Sequence, residues 1–204
     1  MADRKSVHLD KSRAVRVGYG WDSYPSQRSF GLIGGLLELR KNRGIDCDGS
    51  AIFCGKDGRP ISAGTGNSCL FYGNLSLFEG AAVHHGDNKS GIGPGDDEAV
   101  TLHLDRLPGE VWRIALTLDL FKEKKQFMSF GRVSQAFIRL SDEESGEELC
   151  RCSFQEGKSR DKALLGGWIF RDESGEWFYE PALHTRLKAR SLEELLSLLG
   201  ETAL

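Results

Sequence analysis

The chain has 204 residues, 39% of them hydrophobic and 28% charged, and a net charge of −3. That length suits one domain, or one domain with a tail, and can bury a sizeable core. The mild acidity, with no dense Lys/Arg block, leaves no nucleic-acid footprint, and no apolar run approaches the ~18 residues of a transmembrane segment.

From the N-terminus, residues 1–13 ("MADRKSVHLDKSR") are polar and lack the apolar stretch of a secretory signal; they are expected to be loose. Short β-like runs follow in order: "AVRVGYG", "SAIFC", "SCLFY" and "AVTLHL", the last alternating Val100, Leu102 and Leu104 with Thr101 and His103. "VWRIALTLDL" places Trp112, Ile114, Leu116, Leu118 and Leu120 on one side of a strand, with Arg113, Thr117 and Asp119 on the other. "VSQAFIRL" sets Ser134, Ala136, Ile138 and Leu140 against Val133, Gln135, Phe137 and Arg139. "ELCRCSF", "LLGGWIF" and "EWFYE" complete the series, and Asp57-Gly58, Ser145-Gly146 and Ser174-Gly175 mark turns. Many short strands without long helical patterns predict an all-β fold, an antiparallel two-sheet β-sandwich with Gly-rich loops over residues 14–185. A short C-terminal helix within 186–204 is expected to pack on it. Its signals are a Ser191/Glu194 capping box and a stripe of Leu192, Leu195, Leu196 and Leu199. Five cysteines without framework spacing indicate free thiols and a reducing, cytoplasmic location.

One segment carries chemistry. Between Gly86 and Glu98 lie Asp87, Asp96, Asp97 and Glu98 against Lys89, so this loop alone holds three net negative charges (four acids less one lysine). Two carboxylates ~5 Å apart at an effective dielectric of ~20 repel by roughly 3 kcal/mol. A hard divalent cation removes that repulsion. Calcium takes six to eight oxygens, and backbone carbonyls of glycines can be among them. Asp87 and Glu98 would stand at the first and last positions of an EF-hand loop. However, the sixth position, which needs glycine, is Ile92, and the flanks read as strand, so that motif is excluded. In "IDCDGSAIF", Asp46 and Asp48 stand two apart at the head of an apolar strand and so share a face. His84 and His85 are adjacent in an extended run and face opposite ways. Cys150 and Cys152, two apart in a strand, read as core thiols.

In combination, "VGYGWD" (17–22), "IDCDGSAIF" (45–53), "LFYGN" (70–74) and "VHHGDNKSGIGPGDDEAVTLHLDRLP" (83–108) resemble the TerD-domain family of tellurium-resistance and chemical-stress proteins. "FGRVSQAFIRLSDEESGEEL" (130–149) and "GGWIFRDESGEWFYEPAL" (166–183) extend the likeness over roughly residues 14–185. The resemblance implies a non-catalytic sandwich that binds Ca²⁺, as two ions, at one end. The implied ligands are Asp46, Asp48, Asp87, Asn88, Asp96, Asp97 and Glu98, with the carbonyls of Gly91 and Gly93. It also implies partners among other stress-operon proteins, in cytoplasmic or membrane-proximal complexes. The family's DLDASAF reads "DCDGSAI" here, with Gly49 in place of alanine, and residues 23–44 replace a usually short spacer. The alternative is a divalent-metal phosphoesterase or a nucleotide-binding protein using the same acidic rim. No P-loop, nucleophile elbow or Ser-His-Asp order supports it.

Overall fold

Period-two alternation becomes strand pairing. The structure, a computed structural model, describes residues 6–23, 45–61, 68–91, 94–120, 130, 133–154, 162–182, 194 and 197–198. The strands among them are β1 (Val7–Leu9), β2 (Ala14–Ser23), β3 (Cys47–Cys54), β4 (Cys69–Leu70), β5 (Ser76–Leu77) and β6 (Ala82–His84). They continue with β7 (Glu98–His103), β8 (Arg113–Leu120), β9 (Val133–Asp142), β10 (Glu148–Ser153), β11 (Ala163–Arg171) and β12 (Trp177–Pro181). Two six-stranded antiparallel sheets result, ordered β1-β12-β11-β8-β3-β4 and β10-β9-β2-β7-β6-β5. The all-β sandwich read from the sequence is thus the observed fold. Within the segment expected to be loose, β1 pairs with β12 and Leu9 is wholly buried.

The main core lies between the sheets, where Val15, Val17 and Tyr19 of β2 meet Ala51 and Phe53 of β3, Leu116 and Leu118 of β8, and Ile138 and Leu140 of β9. A second cluster covers the opposite face of the first sheet: Ile52, Cys54, Cys69, Ala115, Ala163 and Leu165, with Trp168 and Leu198 packed against it. Burial on both faces explains why all eight residues of β3 are buried. Glu194, Ser197 and Leu198 are helical, and Leu198 supplies a contact outside the expected leucine stripe. Leu192, Leu195, Leu196 and Leu199 lie outside the described residues, as does the 24–44 segment.

In β9 the alternation breaks in a way that sequence did not show. Gln135 has a left-handed backbone (φ 52°), and the β2–β9 register shifts between Gly20 and Asp22. Val133 thereby joins the core together with Ala136. A bulge of this kind adds a residue to one strand and resets which side chains face inward.

Candidate metal centre

The site forms where the "DCD" strand meets the glycine loop. Because β3 alternates, Cys47 points into the main core while Asp48 takes the other face, and Asp46 follows Asp48 by the same period. Asp87, in the loop after β6, closes the group. Carboxylate oxygens of Asp46, Asp48 and Asp87 all lie within 4.8 Å of one another, with Asp46 half-buried, Asp48 buried and Asp87 exposed.

Two side chains from the second sheet fasten this rim to the first. Beyond β4, which pairs with Ala51 and Ile52, the Gly49 peptide has no strand beside it on that edge among the described residues. Its N–H donates to Glu98 Oε2 (2.8 Å), and its carbonyl accepts from His84 Nε2 (3.3 Å). His84 Nδ1 accepts from the Gly86 N–H (3.1 Å), so both contacts fit one tautomer. Glu98 and His84 are themselves buried, 3.6 Å apart. The other Glu98 oxygen accepts the Asn88 N–H (3.2 Å), joining the loop to the same bolt.

The remaining expected ligands take several different partners. Asn88 donates to Asp97 Oδ1 (3.0 Å) and accepts from the Ser90 N–H and hydroxyl. Asp97 also accepts the Trp21 N–H (2.8 Å). Asp96 is turned toward the second sheet, where Arg139 holds it through two bonds (2.6 and 3.0 Å) and Arg16 lies 3.8 Å away. Gly91, left-handed at φ 57°, lies so close to Trp21 that a Cβ would sit 2.2 Å from its Nε1. Gly93 lies outside the described residues. A cleft of about 250 Å³ beside the loop is lined by Arg16, His85, Asp87, Asp96, Asp97 and Glu98.

Asp119 was not among the sequence candidates. It stands directly across from Asp48 in the β3–β8 ladder and is half-buried. In the sequence it reads as one polar position on the outer side of an alternating strand; only the register brings it opposite Asp48. Burial and then the neighbouring charges of Asp119, Glu98, Asp46 and Asp87 push Asp48 up to about 8. Burial and Glu98 push Asp119 up to about 7. Asp97 is raised too, chiefly by burial. Burial and like charge both favour the protonated carboxyls, and a positive charge among them would favour the ionised form. The donors are all oxygens, the hard set that suits calcium or magnesium rather than zinc, so the residues present fit a hard divalent ion. Cys47 is raised well above its usual range by burial and by Asp119 and Asp48, which makes it an inert core thiol.

The fold and this rim define an antiparallel β-sandwich with an acidic edge. The TerD domain model matches residues 3–183, and the chain belongs to the TerD domain family. It is 33% identical over 183 residues to General stress protein 16U of Bacillus subtilis (strain 168), covering 87% of this chain and 85% of that protein. It is 32% identical over 176 residues to the Tellurium resistance protein TerD of Serratia marcescens, covering 84% and 82%. Among solved structures, a protein of unknown function superposes with a TM-score of 0.66 at 22% identity, covering 90% of this chain and 95% of that one. A Streptomyces coelicolor A3(2) homologue of the telluride resistance protein gives 0.58 at 21%, covering 83% and 88%. At those identities the structural likeness concerns the fold.

Proposed function

We propose that this member of a tellurium-resistance and general stress family is a non-catalytic Ca²⁺-binding protein. In this reading the ion orders an acidic rim on which other proteins of the stress system dock. The observation that carries the reading is the convergence of Asp46, Asp48 and Asp87 within 4.8 Å. Charges that close repel by about 3 kcal/mol per pair at an effective dielectric of ~20, and a divalent ion reverses the sign.

Asp46, Asp48 and Asp87 would hold the ion. Glu98, Asn88 and Asp97 position the loop around it, and Asp96 with Arg139 ties the far end of the loop to the sheet. Five free cysteines, four of them buried, suit a reducing compartment and support a cytoplasmic location. Among the described residues no helix is long and apolar enough to cross a membrane.

The test is thermal unfolding with calcium or with EGTA. An ion that binds only the folded state adds about 2.7 kcal/mol at a hundredfold excess over its dissociation constant. The calcium-loaded protein should therefore melt well above the chelated one, and Asp87→Ala should erase the difference. Coincident melting curves for the wild type would end this reading. Calorimetric titration with Ca²⁺, using Mg²⁺ as competitor, identifies the preferred ion.

A further inference from the structure

We propose that Asp119 belongs to the donor set of the cation site, as the cross-strand partner of Asp48; this rests on the reading of the rim as a divalent-ion site. Three observations lead to it.

The register places Asp119 opposite Asp48 on one face of the sheet. Directly opposed residues in an antiparallel ladder have Cβ atoms about 4.5–5.5 Å apart, where like charges destabilise the pair. Three other partly or wholly buried acids on this sandwich do have a cation. Asp96 has Arg139 and Arg16, Asp142 has Arg13, and Glu143 has Arg16. Among the described residues, neither Asp48 nor Asp119 has a lysine or arginine at ion-pair distance, so within them no fixed positive charge offsets this pair.

The second observation is independent of the carboxylates. One rung further along the ladder, Ser50 stands opposite Thr117, on the face that Asp48 and Asp119 share. Thr117 is wholly buried, and its hydroxyl has no hydrogen-bond partner among the described residues. Native interiors seldom leave a buried hydroxyl unpaired, and such a group beside an acidic cluster points to a bound ion or its coordinated water as the absent partner.

The third is the number of donors required. Calcium takes six to eight oxygens, and Asp46, Asp48 and Asp87 alone supply fewer than that unless every carboxylate is bidentate. Asp96, which the sequence offers as a donor, is already held by two arginines. Asp119 is a carboxylate of the same face that no cation among the described residues has claimed.

The experiment titrates Ca²⁺ calorimetrically into the full-length wild type, Asp119→Asn, Asp119→Ser and Asp87→Ala, each checked for its β-rich circular dichroism. A parallel carbon-13 NMR titration of the wild type follows the Asp119 side-chain carboxylate, a readout that no variant's folding can compromise. Removing one carboxylate from a divalent ion at an effective dielectric of ~20 should raise the dissociation constant about tenfold or more in both Asp119 variants. The chelated variants should melt no lower than the chelated wild type, because a repulsion has gone. In the wild type the Asp119 resonance should shift in step with saturation.

Wild-type affinity in Asp119→Asn, or an Asp119 resonance that ignores the ion, overturns the assignment. So does a variant that melts lower in chelator and loaded states alike while keeping its affinity, since that marks a structural role only. If Asp87→Ala abolishes binding while the Asp119 variants bind normally, the rim remains a calcium site and this assignment alone falls. If the wild type takes up no Ca²⁺ at millimolar concentration, both fall.

Discussion

Gly49→Ala tests the packing beneath the acidic rim. An alanine Cβ at this position would lie 2.5, 2.6 and 2.9 Å from Cγ, Cδ2 and Cδ1 of Tyr19. Favourable carbon–carbon separations are about 3.5–4.0 Å, so something must move by roughly 1 Å. Tyr19 is wholly buried in the core, and its hydroxyl donates to the Ser50 carbonyl at 2.9 Å, which pins both ends of the ring. Overpacking costs about 1–3 kcal/mol, and disturbing the hydroxyl bond adds about 0.5–1.5 kcal/mol. The sum is about 3 kcal/mol. For a chain of this size that is a fall of about 6–12 °C in melting temperature. Urea unfolding in chelator measures the loss without any contribution from metal.

The clash also has a sequence-level meaning. Where the family's DLDASAF has alanine this chain has glycine, and Tyr19 occupies the space. Tyr19→Leu should therefore rescue Gly49→Ala, with the double variant more stable than the sum of the single losses by about 1–2 kcal/mol. A Gly49→Ala protein within about 0.5 kcal/mol of wild type would refute the packing argument, as would strict additivity in the double variant.

Three further outcomes are expected. Asp96→Asn breaks a two-bond arginine clamp and should destabilise by about 1–3 kcal/mol in urea unfolding, yet reduce calcium affinity by much less than Asp87→Ala does in the same calorimetric assay. Gly91→Ala combines a left-handed backbone with a Cβ 2.2 Å from Trp21 Nε1, the atom that donates to the Ile45 carbonyl at 2.8 Å. It should loosen Ile45 beside Asp46 and shift the emission of buried Trp21 to the red, with calcium binding weakened. Finally, metal-stripped protein should lose stability between about pH 4 and pH 8. Asp48 is raised to about 8 and Asp119 to about 7 in the fold, whereas an unfolded aspartate titrates near 3.9. The folded state therefore holds more protons across that window, and its stability falls as pH rises through it. Urea midpoints at pH 5, 6.5 and 8 decide this, and a flat or rising series would contradict it.

Local pattern carried the fold. Strands such as β8 and β9 were legible because alternating apolar residues have one arrangement that buries them, and Asp-Gly and Ser-Gly turns separated them. The acidic loop and the Asp46/Asp48 pair were legible too, since like charges crowded within a few residues announce themselves without a structure. Sequence could not sort those acids. Asp96 and Asp97 are neighbours in the chain, yet Asp96 meets Arg139, 43 residues away, while Asp97 caps the Trp21 N–H, 76 residues away.

Nor could sequence show that Asp119 stands across from Asp48, which is a register relation between β3 and β8. The same holds for Glu98 and Gly49, which meet only when the two sheets stack. Periodicity depends on neighbours along the chain and is written in the sequence alone. The coordination geometry of a cation site depends on which strands pair and in what register, and that is settled only when the whole sandwich closes over its core.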